Sequence, residues 1–203
     1  MKTKLITLLF AVCTCAALAG PQSFDFKDPK GVNNAVFKLD ATLEAINGTA
    51  NGISGTIVYD PAKPEALTGK IVVDANSLTV PNPMMNGHLH GAQWLDVQKF
   101  SEITFEASKA AGVRNNGNST TIDVTGKLMI HGVAREITVP VTFTYLKDKL
   151  AARVPNMKGD LLVVRAKFTV KRSDFGINPG APSDKVSDDI ELTLSLAGAA
   201  AAK

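Results

Sequence analysis

The feature that most limits what this chain can fold into is an alternation of apolar and polar residues with period two, repeated along most of its length. Ala35, Phe37, Leu39, Ala41, Leu43 and Ala45 share one side of the first run, with Val36, Lys38, Asp40, Thr42 and Glu44 between them. Ile71 with Val73, and Ile103 with Phe105, repeat the pattern in shorter form. Ile122, Val124, Gly126, Leu128 and Ile130 make a longer face, followed by Ile137, Val139, Val141, Phe143 and Tyr145. Ala166, Phe168 and Val170 form another, and Ile190, Leu192, Leu194 and Leu196 the last. Gly55 to Tyr59 is a shorter candidate. Such alternation fits strands with one buried face. Turn residues punctuate the runs: Asn47-Gly48, Asn51-Gly52, Asp60-Pro61, Asn116-Gly117 and His131-Gly132. The expected class is all-β and antiparallel, with about eight strands.

Eight amphipathic strands in an open sheet leave two edges of unpaired backbone groups. Closure into an eight-stranded barrel removes both and leaves an interior wide enough for side chains or one small ligand. A β-sandwich would carry the same pattern. An outer-membrane barrel would turn its apolar face outward and ring it with aromatic residues. This chain, with one Trp and two Tyr, is too poor in them for such girdles. One connection breaks the alternation: Pro81 to Phe100 holds two prolines and is expected to be irregular, with a short helix around Gly91 to Val97. A connection that long is uncommon in a compact domain and is often functional. Residues 197–203 (AGAAAAK) are expected to fray.

The start reads as an export signal, spanning 1–19. Lys2 and Lys4 precede the apolar run Leu5 to Ala17, and Ala17-Leu18-Ala19 offers a cleavage site. The run is too short to cross a bilayer. Both cysteines, Cys13 and Cys15, lie inside it, so the mature chain is expected to have no disulfide, thiolate nucleophile or Cys-ligated metal. The net charge of +3 becomes +1 without Lys2 and Lys4, which offers no basic patch for nucleic acid. Residues 20–196 read as one domain.

At 55–60 the sequence Gly-Thr-Ile-Val-Tyr-Asp resembles the early strand of the YceI-like family of exported lipid-binding proteins. His88-Leu89, Trp94-Leu95-Asp96-Val97 and Lys99-Phe100 resemble its next motif, and Ile103-Thr104-Phe105 continues it. Gly126 to Val133 with Ile137 to Phe143 resembles its central hairpin; Arg172 to Ile177 and Val186 to Leu192 resemble its late motifs. The resemblance implies a lipocalin-like barrel, a tunnel for a polyisoprenoid or quinone-like lipid, a periplasmic location and frequent dimers. This chain departs from the family at His90, where Arg or Lys is usual, and at Ser101, where Pro is usual. It also lacks the family's His between Asp28 and Phe37.

With such a tunnel, the inward residues Phe37, Leu39, Ile71, Val73, Phe105, Ile122, Val124, Leu128, Val139, Val141, Phe143, Phe168 and Leu192 are the candidate ligand contacts. For any single one of them core filler is the better reading, and many would be both, packing the wall while facing the void. Met84, Met85, His88 and Trp94 are candidates for its mouth, since Met adapts to varied lipid shapes.

The pair His88-x-His90 suits zinc or copper only with a third ligand, so no metal is expected, and His131 is expected to make a structural hydrogen bond at a turn. Asp174 is expected to fix a turn before Gly176. Nucleophile-elbow, phosphate-loop and dinucleotide motifs are absent from the sequence. The expected function is therefore binding without catalysis or cofactor. A lipid-modifying enzyme using the same tunnel, and a filled barrel that recognises an envelope protein, are the alternatives.

Overall fold

The structure, a computed structural model, describes residues 20–202. The export signal lies outside the described residues. Ten strands form one antiparallel sheet: β1 (Gln22–Asp25), β2 (Asn34–Asp40), β3 (Ala45–Ala50), β4 (Ile53–Tyr59), β5 (Thr68–Asp74), β6 (Glu102–Asn116), β7 (Ser119–Ile130), β8 (Val133–Leu146), β9 (Gly159–Lys171) and β10 (Asp189–Ala201). Two of the barrel's staves are interrupted. The segment β1–β2 is broken by residues 26–33, and β3–β4 by Asn51-Gly52, so ten strands make eight staves. The sheet closes where β10 meets β1 at Ala199–Asp25 and meets β2 from Glu191–Lys38 to Ser195–Asn34.

The break in the first stave is stapled rather than loose. Asp28 accepts from the backbone N–H groups of Lys30, Val32 and Asn33 and pairs with Arg153 at 2.8 Å. Asn33, buried beside it, donates to the carbonyls of Phe26 and Ala197 and accepts from Ala197 N–H at 2.9 Å. Its side chain thus replaces the ladder bonds that the interruption removes.

Most of the expected inward faces point inward. Ile122, Val124, Leu128 and Ile130 are buried along β7, as are Val139, Val141 and Phe143 along β8. Lys38 pairs with Asp40, Lys167 with Glu191 and Lys171 with Asp189 on the outer surface. The apolar side is therefore inside, opposite to a lipid-facing barrel.

Three expectations fail. The alternation from Ala35 to Ala45 is not one strand: residues 41–44 form a hairpin, and Leu43, at its tip, is 64% exposed. Periodicity alone did not register a turn that lacks Gly and Pro. Residues 197–201 do not fray but extend β10 against β9, from Ala197–Val163 to Ala201–Gly159. Gly198 has to be small here, since a Cβ on it would lie 2.6 Å from the Phe26 ring. The short helix falls earlier than expected. Helix α1 spans Pro83–His90, with Asn82 accepting from Met84 N–H at 3.0 Å as its cap and proline in its first turn. That Asn-Pro start signal was present in the sequence.

Candidate functional site

The interior is not filled. Bulky residues seal one end of the barrel, where Tyr59 and Phe143 stack with centroids 5.3 Å apart and Phe24 meets Tyr145 edge-on. Ile122 and Leu162, both wholly buried, complete this plug. Behind it, Asp160 accepts from Tyr145 Oη at 2.6 Å, Gln22 Nε2 at 2.9 Å and Asp148 N–H at 2.7 Å. Burial pushes the Tyr145 phenol up to about 12, helped by its bond to Asp160. Burial would also raise Asp160, but the three donors outweigh it and hold the carboxyl below its ordinary value.

Midway along the barrel the inward residues become small: Ala35 on β2, Gly69 on β5, Ala107 on β6 and Ala166 on β9. The result is a cavity of about 220 Å³. Thirteen of the seventeen candidate contacts line it. Phe37 and Leu39 come from β2, Ile71 and Val73 from β5, and Phe105 from β6. Val124 and Leu128 on β7, and Val139, Val141 and Phe143 on β8, form the facing wall. Phe168, Leu192 and, from the long connection, Trp94 complete the set. The other four do not line it. Ile122 belongs to the plug beyond the cavity. Met84 is 78% exposed, and Met85, partly buried, packs against the cluster that includes Phe37, Leu39 and Leu95 without itself lining the cavity. His88 is exposed on α1.

The end opposite the plug is closed by two connections rather than by aromatic stacking. From residues 81–100, Leu89, Trp94 and Leu95 face the cavity. Asn86 holds this segment by bonding Val80 through both its amide oxygen, at 2.7 Å, and its amide nitrogen, at 3.0 Å. His90 donates to the Leu78 carbonyl at 2.7 Å. His88 and His90, two residues apart on a helix, point to different sides, and no group of three metal-binding side chains exists among the described residues. His131, with φ of +51°, donates to the Phe175 carbonyl at 3.3 Å, which is the structural bond expected of it.

The second connection, residues 172–188, is organised by Arg172. This side chain is 2% exposed, yet it lines the cavity. Nη1 donates to the carbonyls of Ile177, at 2.6 Å, and Asn178; Nε donates to Ser187 at 3.4 Å. The guanidinium carbon sits 5.8 Å from the Trp94 ring centroid. Asp174 is exposed and makes no turn-fixing bond among the described residues. Asp188 takes that role, accepting from Ser173 N–H and Oγ, each at 2.8 Å. Burial would raise Asp188, but these bonds and the Arg172 charge outweigh it and lower it. Gly176, at φ of +67°, completes the turn in the left-handed region that glycine tolerates.

Arg172, which the sequence reading placed only in a motif, was not assigned to the cavity. Its signal was an arginine in the inward phase of β9, four residues beyond Phe168 and two beyond Val170. The missed alanines follow from the same alternation, because small residues in inward phase leave space that their neighbours do not fill.

An aromatic plug, a carbon-lined hollow and a two-segment cover make the chain a closed antiparallel barrel of lipocalin-like form with an internal cavity. The YceI-like domain model matches residues 28–197, and the chain belongs to the YceI-like family. A UPF0312 protein of Pseudomonas fluorescens is 36% identical over 156 residues, covering 75% of this chain and 73% of that protein. Among solved structures, Burkholderia cenocepacia BcnA superposes with a TM-score of 0.67 at 23% identity, over 81% of this chain and 95% of the other. A polyisoprenoid binding domain from Saccharophagus degradans, implicated in plant cell wall breakdown, superposes with a TM-score of 0.63 at 15% identity, over 88% and 98%. These likenesses establish the fold. Among the described residues no helix is long and apolar enough to cross a membrane.

Proposed function

We propose that the protein is a periplasmic carrier that holds the apolar chain of an amphiphilic lipid, of polyisoprenoid or quinone-like type, inside its barrel without altering it. The single observation that supports this reading most is the 220 Å³ hollow walled by aliphatic and aromatic side chains. The polyisoprenoid-binding neighbour supports the same reading. The periplasmic location rests on the export signal read at residues 1–19.

The cavity size limits the occupant. An apolar cavity of about 150 Å³ stays dry and holds one benzene, or roughly 25 Å³ per carbon. By that measure 220 Å³ takes about nine carbons, or about two isoprene units. At about 0.8 kcal/mol per CH₂, nine carbons gain about 7 kcal/mol. Association costs at least about 4 kcal/mol, which leaves an affinity only in the millimolar range. A useful carrier therefore gains the rest from a chain long enough to widen the barrel, or from a contact with the headgroup. The plugged end makes entry one-sided: the tail leads, and the head stays at the cover formed by residues 81–100 and 172–188.

The test is extraction from a bilayer. Phosphatidylcholine vesicles carrying radiolabelled farnesol are mixed with the protein and floated away. Label recovered with the sedimenting protein, while labelled phosphatidylcholine stays with the vesicles, is the expected result. Farnesol that floats entirely with the vesicles at any protein concentration contradicts the proposal. Conversion of the farnesol to another compound favours the enzymatic alternative.

A further inference from the structure

We propose that the hollow is gated at its side, along the seam between β8 and β9 next to the cover, and that the apolar chain enters and leaves there. The inference rests on the lipid-binding reading above and adds the route by which the chain reaches its place.

Long ladders join the neighbouring staves. β7 pairs with β8 from Thr120–Phe143 to Ile130–Val133, and β9 pairs with β10 from Gly159–Ala201 to Lys171–Asp189. β8 and β9 pair only from Leu146–Leu161 to Val141–Ala166, the half beside the plug. Both strands then run on toward the cover, through residues 133–140 and 167–171, without pairing to each other. No backbone hydrogen bond joins these two stretches among the described residues. The break begins at Pro140, next to the last pair, and proline has no N–H to donate and suits a strand edge. The two sides are tied again only at the cover, where His131, in the turn before β8, meets the Phe175 carbonyl beyond β9 at 3.3 Å.

The unladdered stretch lies over the hollow. Val139 on one side of it, and Phe168 and Val170 on the other, all line the cavity.

The other ways in are fastened. The cover is held by the bonds of Asn86 to Val80, of His90 to Leu78, and of Arg172 to Ile177 and Asn178. Asp28, Asn33 and Arg153 staple the break in the first stave. Where β5 and β6 part beyond Gly69–Ala107, buried Leu67 fills the opening. The β8–β9 seam can part by losing apolar contacts alone, and an entering alkyl chain replaces them. The same seam lets a longer chain widen the barrel without breaking a ladder.

Trp94 is the only tryptophan in the chain and lines the cavity, so its fluorescence follows decanoate in and out. Thr138 and Thr169 are exposed and fall opposite each other when the Val141–Ala166 register is continued. Thr138→Cys with Thr169→Cys, in a chain carrying Cys13→Ser and Cys15→Ser, is joined by a short bis-maleimide. Pro140→Cys with Lys167→Cys, also exposed, serves the same purpose where the first pair does not fold. Linking is expected to slow association and release of decanoate alike, by roughly tenfold or more, and to leave Kd unchanged. The control links Lys127→Cys to Glu136→Cys, an exposed pair across the laddered β7–β8 seam, and should leave both rates as they were. Unchanged rates in the linked β8–β9 seam overturn the gate and leave the lipid cavity standing, and equal slowing by both links overturns it too. Failure of the wild type to bind decanoate overturns the lipid-binding reading itself.

Discussion

Filling the hollow should separate a true binding cavity from a loosely packed core. Ala166 lies inward on β9, in register with Val141 on β8 and Leu194 on β10, and all three line the cavity. Ala166→Phe places a phenyl ring in the middle of the void. A ring of that size takes up about 150 Å³ of apolar cavity, which leaves room for about three of the original nine carbons. Losing about six carbons of burial, at about 0.8 kcal/mol each, removes about 5 kcal/mol, more than the roughly 3 kcal/mol that nine carbons leave after the cost of association, so binding to the cavity should be abolished. Stability moves the other way. Removing about 150 Å³ of empty volume, at about 24 cal/mol per Å³, gives an upper bound near 3–4 kcal/mol. For a domain of this size that raises Tm by up to about 10 °C, and imperfect fit lowers the gain. The assays are a thermal melt followed at 218 nm and the Trp94 titration with decanoate. A variant that binds normally would show that the chain does not occupy the tunnel. A variant that loses about 1–3 kcal/mol would show that the middle of the barrel is already full.

Asn33→Ala should cost about 2–4 kcal/mol in chemical denaturation, because buried backbone groups of Phe26 and Ala197 lose their partners. Decanoate affinity should be unchanged, since Asn33 is outside the cavity lining. Gly48→Ala should destabilise by about 1–3 kcal/mol, because its Cβ would fall 2.0 Å from the Phe37 ring and 2.6 Å from the Thr79 carbonyl. Both tyrosines of the chain should fail to ionise near pH 10 in an ultraviolet titration. Tyr145 is raised to about 12, and burial raises Tyr59 as well. A phenol raised in the folded state contributes stability that is complete below its unfolded value near 10 and is lost as pH climbs toward 12. Alkaline unfolding should therefore begin in that window, and Tyr145→Phe should flatten its pH dependence. A normal tyrosine transition near pH 10 in folded protein would refute the sealed plug.

The barrel was legible because each long stave has one wet and one dry face, and alternation is the direct image of that arrangement. Phe37, Leu128, Val139 and Phe168 could be placed on the cavity wall from phase alone. What phase could not convey was depth. Ile122 shares a face with Val124, yet it sits in the plug while Val124 borders the void. That distinction depends on how the staves are staggered. Nor does alternation extend into the connection 81–100, where Met84 and His88 turned outward while Leu89 and Leu95 turned in. Its inward set is chosen by a helix started at Asn82-Pro83 and by the Asn86 bonds to Val80. Arg172 stood in a family motif, but its inward place was not legible because a charged residue in an inward phase reads as the end of a strand, and the carbonyls that hold it come from residues 177, 178 and 187.

The most direct measurement is the native mass of protein purified from its own cells without detergent, taken before and after extraction with organic solvent. A mass above that of the polypeptide by one small apolar molecule, lost on extraction and missing from Ala166→Phe, is the predicted result. Bare polypeptide mass from every preparation, including protein incubated with farnesol and with decanoate, would contradict the account.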